Sequence, residues 1–114
     1  MEFKVMDGQP RLDGKKFDEG KPQLGLVARS LIWGIAKIMT GGVAKYGRDN
    51  WRGGMEWHRP YDALQRHLTA WWDGESKDAE SGQSHLFHAA CEIMFLIEYE
   101  EKNMGKDDRF KVTK

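Results

Sequence analysis

Apolar residues recur at helical spacing in three stretches of the chain. In the first, Val27, Leu31, Ile35, Ile38 and Met39 share one face, with Leu26, Ile32 and Trp33 beside them. This predicts an amphipathic helix. Gly41-Gly42 interrupts the pattern, so that Val43 to Tyr46 form one further turn before Gly47 ends it. In the second, Tyr61, Leu64, Leu68, Trp71 and Trp72 keep the i, i+3, i+4, i+7 rhythm, with Pro60 in the first turn and Gly74 as the stop. The third, SHLFHAACEIMFLIEYE, reads as a helix capped by Ser84 or Ser81 and closed by Asn103 or Gly105. It is apolar nearly all round, which marks a buried helix.

The intervening segments read differently from one another. Asp73 to Gly82 contains the breaker pairs Asp73-Gly74 and Ser81-Gly82 and is expected as a polar loop carrying Glu75, Asp78 and Glu80. Its shortness makes the second and third helices antiparallel neighbours. Lys45 to Pro60 is a long loop rich in glycine and tryptophan, and loops of that length in compact domains tend to be functional. The first 20 residues are expected as a flexible arm, and the tail KDDRFKVTK as mobile unless it reaches a neighbour. The fold expected is therefore all-α, one domain over 1–114: a small bundle of three main helices with a long Gly/Trp-rich loop. So short a bundle with so much tryptophan calls for a second subunit to cover it, as a homo-oligomer, a dimer or tetramer.

Chemistry concentrates in RHLTAWWDGESKDAESGQSHLFHAACE, Arg66 to Glu92, which holds three of the four histidines. On a helix His85, His88 and Glu92 fall in one row. His67 lies between Ala63 and Ala70, whose small side chains let another helix approach. With Glu75, Asp78 and Glu80 at the same end of the hairpin, seven potential ligands converge on the volume of one metal cluster. Ionisable groups in an apolar setting need a partner or a metal. The plainer alternative is that each histidine is a satisfied core or surface residue.

Charge and cysteine use narrow the class. Eighteen basic and 18 acidic residues cancel, which argues against long nucleic acid as a partner. No apolar run is long enough to span a membrane and no signal peptide is seen, so no membrane partner is expected. The lone Cys91 fits a reduced cytoplasmic setting and reads as a small core residue. In the long loop, aromatics interleaved with Lys45, Arg48, Arg52, His58 and Arg59 suit a nucleotide, a base stacking on a ring while cations hold phosphate. Trp51 and Trp57 could equally anchor the loop on the core. No Walker or GxGxxG motif occurs.

The runs GKPQLGLV, AKYGRDNWRGGMEW, ALQRHLTAWWDGESKDAESGQSHLFHAACEIMFLIEY and GKDDRFK, with the central motif GExxDxESGxSHLxHA, resemble the phage-encoded dATP/dGTP diphosphohydrolases, related to the MazG-like all-α nucleoside triphosphate pyrophosphohydrolases. The resemblance spans roughly residues 20 to 111. It implies a metal-dependent enzyme that cuts purine deoxynucleoside triphosphates to monophosphate and pyrophosphate, in the cytoplasm of an infected host. It places Glu75, Asp78, Glu80, His85 and His88 in the metal region, with His67 as a further candidate, and Glu80 and Glu75 as candidate catalytic carboxylates. Lys45, Tyr46, Asn50 and Trp51 match its KYGxxNW segment, where base and phosphate contacts are expected. Lys21, Arg48, Arg52 and Arg66 are the remaining candidate substrate cations.

Where the MazG-like relatives carry ExxD, this chain has His85-x-x-His88, and Arg66-His67 replaces carboxylates on the preceding helix. Mg²⁺ or Mn²⁺ is the cofactor the family implies. Imidazole shifts the preference toward Mn²⁺, Co²⁺, Ni²⁺ or Zn²⁺. Two readings from other classes remain: a nucleotide-binding module without turnover, which needs no carboxylate and histidine cluster, and an HD-type phosphohydrolase, whose His-Asp dipeptide is absent.

Overall fold

The computed structural model describes residues 10–112. Three helices carry the fold: α1 (Arg29–Tyr46), α2 (His58–Trp72) and α3 (His85–Lys102), with short 3-10 turns at Leu24–Leu26 and Asn50–Gly53. No strand forms among the described residues, only isolated bridges at Glu56/Lys106 and Lys77/Ser84. The all-α expectation is met.

α2 and α3 form an antiparallel hairpin, and α1 packs on α3. Gly34 lets α1 approach so closely that the Phe87 ring fills the space a Cβ would take. The Cys91 thiol donates to the Ile35 carbonyl at 3.6 Å. Cys91 is buried, and burial pushes its thiol pKa up to about 12, so it is the small core residue expected rather than a nucleophile.

Two boundaries differ from expectation. α1 runs unbroken through Gly41-Gly42, because neither glycine adopts positive φ and each costs a helix only about 1 kcal/mol. Its stop is Gly47, at φ 83°. The helix also begins later than the apolar pattern does, leaving Leu26 in a 3-10 turn and Val27 extended. α3 starts where its cap predicts, with the Ser84 hydroxyl accepting from the Leu86 amide at 3.1 Å, and ends at Asn103 in the left-handed region.

The core lies under the long loop. Trp51, Trp57 and Tyr99 are buried together, with Met39, Met55, Met94, Phe95, Leu96 and Met104 against them. Tyr99, 0% exposed, donates its hydroxyl to the Trp51 carbonyl at 2.7 Å. The Trp57 indole donates to the Met104 carbonyl at 2.9 Å.

The C-terminal segment, expected to be mobile unless it reached a neighbour, finds one in this loop and folds back on it. The Lys106 amide donates to Met55 and the Trp57 amide to Lys106, at 3.2 and 3.0 Å. Gly54 and Gly105 make the approach possible: both have positive φ, and a Cβ on Gly54 would lie 2.6 Å from the Gly105 nitrogen. His58 donates its backbone amide to Asp108 at 3.0 Å and its ring pairs with the same carboxylate. The Arg109 guanidinium sits 5.0 Å from the centre of the Trp57 ring.

α3 is buried on one side only. Leu86, Ile93 and Ile97 (53%) lie exposed on the other, as do Leu31, Ile32 and Trp33 (69%) on α1. The chain exposes 10117 Å², where a compact monomer of its 13.2 kDa would expose about 6,400 Å². Part of the excess is the exposed segment 10–23, and part is these helix faces.

Two outcomes follow from this packing. Tyr99→Phe should lower stability by about 1 kcal/mol, because the Trp51 carbonyl keeps the Gly54 amide as a second donor. The check is a lower urea midpoint at unchanged slope. His58 is held above the usual imidazole range and Asp108 below the usual carboxylate range, each chiefly by their shared hydrogen bond. A raised histidine pKa stabilises fully below its unfolded value of 6.5 and the contribution is lost as pH rises through the folded value. A lowered aspartate pKa stabilises above 3.8 and fails as pH falls through its folded value. The clasp is therefore strongest in mildly acid solution, and Asp108→Asn should return His58 to an ordinary titration in an NMR pH series.

Candidate functional site

Helical spacing and one tight loop bring the histidines together. His67 projects from α2, and His85 and His88 from the first turn of α3. The loop between them is ordered by its own backbone. Asp78 donates its amide to the Gln83 carbonyl and receives the Gly82 amide, both at 2.8 Å, and the His85 amide donates to Ser76 at 3.0 Å. The Asp78 carboxylate also takes the Ser81 amide at 2.9 Å. That bond, more than any other influence, holds Asp78 below the usual carboxylate range.

His85 is the most enclosed of the three, 4% exposed, and both of its nitrogens are committed. Nε2 lies 2.8 Å from the Glu75 carboxylate, and Nδ1 lies 2.8 Å from Nδ1 of His67. The Glu75 carboxylate is the acceptor at Nε2, and the two Nδ1 atoms of His85 and His67 face each other across one hydrogen bond. The His67 ring stacks on His88 with centroids 4.5 Å apart and planes 8° from parallel. Burial first, then the neighbouring imidazoles, holds His67 below the usual imidazole range; burial does the same for His88 against the pull of Asp78. Both rings are thus neutral at pH 7, the form in which imidazole ligates metal.

His67, Asp78 and His85 each offer one ligand atom, and these atoms lie within 4.8 Å of one another. The donor set fits a divalent ion: two imidazole nitrogens and one carboxylate oxygen converge, and Glu75 holds the far nitrogen of His85. Ligating histidines characteristically give their second N–H to such a carboxylate.

The remaining candidates divide by position. Glu80 is 87% exposed and lies 3.9 Å from the Lys45 ammonium, which also sits over the Tyr46 ring. Lys45 and Tyr46 therefore stand at the loop's edge, near the cluster. Arg66 lines a groove with Gln65, Thr69, Ala70, Asp73 and Glu75, alongside His85's carboxylate partner. Glu92, one turn beyond His88, makes no hydrogen bond or ion pair among the described residues. Burial raises its pKa to about 7, with Arg66 pulling the other way.

Asn50, Trp51 and Arg52 lie in the 3-10 turn seated over Phe95 and Tyr99, and Phe95 stands about 10 Å along α3 from His88 at 1.5 Å per residue. Trp51 stacks on Phe95 at 5.0 Å, and the Arg52 guanidinium lies 4.7 Å from its ring centre. Of the two readings of this tryptophan, the structure has the anchor, with its ring in the core rather than open to a base. Arg52 is turned to Asp49 at 3.0 Å, Arg48 is exposed beside it, and Lys21 lies in an exposed turn that closes on Asp18. The fourth histidine, His58, belongs to the C-terminal clasp.

One residue of the cluster escaped the sequence reading. The Ser81 hydroxyl lies 2.6 Å from Nε2 of His88. The only signal in the sequence was a Ser-Gly breaker pair, which reads as a turn or a cap, and the cap proves to be Ser84.

The family model described as dATP/dGTP diphosphohydrolase, N-terminal, matches residues 11–109. A curated relative named dATP/dGTP diphosphohydrolase, from Salmonella phage PMBT28, is 35% identical over 98 residues, covering 86% of this chain and 33% of the relative. The chain spans about a third of the length of the curated relative it matches. No solved structure matches it.

Proposed function

From the premise that the chain belongs to the dATP/dGTP diphosphohydrolase family, through that family's N-terminal domain, we propose that it hydrolyses dATP and dGTP to the monophosphate and pyrophosphate. The reaction depends on a divalent ion at the α2/α3 hairpin. The observation that carries this reading is the convergence of His67, Asp78 and His85, with Glu75 behind His85. A protein that only sequestered nucleotide would need no such donor set.

The ion, when bound, supplies Lewis-acid neutralisation of phosphate charge and lowers the pKa of water. His67, His85 and Asp78 hold it, and Glu75 orients His85. Glu80, exposed at the edge of the site, accepts the proton of the attacking water. Lys45 reaches the same carboxylate and is a cation for the phosphates, as is Arg66 from the groove it lines with Glu75. Two imidazoles among three ligands favour Mn²⁺, Co²⁺ or Zn²⁺ over Mg²⁺. No described helix is long and apolar enough to cross a membrane.

The exposed Leu31, Ile32 and Trp33 of α1 and Leu86, Ile93 and Ile97 of α3 are apolar surface of the kind that subunit interfaces cover. We expect a homo-oligomer.

Two measurements test these statements. Product analysis with each dNTP under Mg²⁺, Mn²⁺, Co²⁺ and Zn²⁺ should give pyrophosphate with dAMP or dGMP, abolished in His67→Ala and Asp78→Ala. Glu75→Gln should weaken metal binding by about 10- to 100-fold in calorimetry. Binding without cleavage under every metal would replace the enzyme with a nucleotide-binding module. In sedimentation, the wild type should exceed the 13.2 kDa of one chain, and a double change of Ile93 and Ile97 to Glu should shift it toward that mass.

A further inference from the structure

The segment before α1 carries apolar side chains that pack on nothing among the described residues. Leu12, Phe17, Leu24 and Leu26 are all exposed, Phe17 at 89%. Among the described residues its hydrogen bonds and ion pairs are internal: Arg11 to Asp13 at 2.8 Å, the Lys21 amide to the Asp18 carbonyl at 3.0 Å, and the Leu26 and Val27 amides to the carbonyls of Gln23 and Leu24. A Cβ on Gly14, Gly20 or Gly25 would meet no atom within 4 Å. The arm therefore stands clear of the helices, and the radius of gyration is 20.4 Å, where a compact domain of about 100 residues has about 13 Å. The Asp18–Lys21 turn, with Gly20 at φ 79°, gives the arm a defined local shape and sets Phe17 just ahead of the turn.

An open apolar groove lies at the opposite end of the hairpin from the histidine cluster. It has a volume of about 640 Å³ and is lined by Tyr61 of α2 and by Ile93, Leu96 and Ile97 of α3, with Glu100 and Arg109 among its charged residues. α1 runs parallel to α3: Gly34 meets Phe87, Ile35 meets Cys91, and Met39 reaches the Tyr99 cluster. The arm therefore leaves at the N-terminal end of α3, whereas the groove runs from Ile93 to Glu100. Phe87 and Ile97 are about 15 Å apart along the helix at 1.5 Å per residue.

We propose that the arm of one copy of this chain lies in the groove of a second copy, and reciprocally, with Phe17 as its anchor. The inference rests on the homo-oligomer expected above and not on the proposed chemistry. When two copies pair their open α3 flanks, Leu86, Ile93 and Ile97, antiparallel about a two-fold axis, the N-terminal end of each α3 comes beside the Ile93–Glu100 stretch of the other. The root of each arm comes with it, so neither arm has to fold back along its own hairpin. Aromatic anchors in apolar pockets are what such interfaces depend on. Charge follows the same order. Lys15-Lys16 precede Phe17 and Asp18-Glu19 follow it, while Glu100 and Arg109, both more than half exposed, supply an acid and a base beside the groove. A phenyl ring set among Tyr61, Ile93 and Ile97 leaves the basic pair to meet Glu100 and the acidic pair to meet Arg109.

The test is cross-linking between copies. Full-length Phe17→Cys and Ile97→Cys chains, one of them tagged, are mixed, left to exchange subunits and treated with a short bismaleimide; Cys91 is buried and stays out of the reaction. The expected product is a tagged chain joined to an untagged one through positions 17 and 97, read by peptide mass, which neither variant alone should give. In a chain carrying both changes, a link within one chain would place the arm on its own groove and overturn the proposal. In sedimentation, Phe17→Glu should raise the dimer dissociation constant by about tenfold or more. Its circular dichroism should match the wild type, since Phe17 is exposed in its own chain, and Phe17→Leu, which keeps the apolar bulk, should restore association. Wild-type association in Phe17→Glu, or the absence of any 17–97 link, assigns subunit pairing to the helix faces alone and overturns the arm exchange while the oligomer stands. A monomeric wild type overturns both and leaves the nucleotide chemistry to its own test.

Discussion

A buried imidazole with both nitrogens spoken for is the constraint on which the rest of this hairpin depends. His85 joins three pieces of chain: Glu75 from the loop, His67 from α2 and its own α3. An unpaired polar group in that setting costs about 1–3 kcal/mol, so the arrangement is strongly selected over neighbouring ones. Rotating α3 by one residue would turn His85 away from both partners and set Leu86 or Ser84 in its place. The register of the two helices and the path of the loop are therefore determined by the same two contacts that shape the donor set.

The core of the protein stands some distance from this chemistry. Tyr99 and the two tryptophans lock the long loop to the C-terminal half of α3, and the 105–109 segment closes over Trp57. The N-terminal half of α3 packs separately, through Phe87 and Cys91 against Gly34 and Ile35 of α1. The anchored loop also holds the end of α1, through Gly47 and the Asn50–Gly53 turn, so that Lys45 emerges beside Glu80. Aromatic anchoring at one end thus positions a cation at the other.

Helix existence was legible in the sequence because apolar periodicity reports which face is buried, and the Ser84 and Asn103 caps placed α3 closely. The break expected at Gly41-Gly42 failed because glycine weakens a helix without forbidding it, and only a positive φ, as at Gly47, ends one. The approximate gathering of the histidines was legible too, since His85 and His88 share a face by spacing alone. Division of labour was not. That Glu75 backs His85, that Glu80 turns to Lys45, and that Ser81 meets His88 are consequences of hydrogen bonds inside a ten-residue loop, which periodicity does not encode. Trp51 was ambiguous for a similar reason: an aromatic ring suits a base and a core equally, and Phe95 decided the matter. The burial expected of α3 is met on one side only within the chain, whose Leu86, Ile93 and Ile97 side is open.

The imidazoles of the cluster also differ in consequence from carboxylates at the same positions. A cluster of carboxylates around Mg²⁺ carries several negative charges that the ion must offset, and in the metal-free protein they repel one another. Neutral imidazoles do not. His67 and His88, both held below the usual imidazole range, stack face to face at 4.5 Å, and His67 meets His85 nitrogen to nitrogen. The cluster is thus assembled by packing alone, with Asp78 and Glu75 its principal carboxylates. Preorganisation of this kind trades affinity for hard cations against a smaller reorganisation on binding, and it suits ions that accept nitrogen ligands. Burial that depresses the His67 and His88 pKa values works in the same direction, since protons then compete less for the nitrogens.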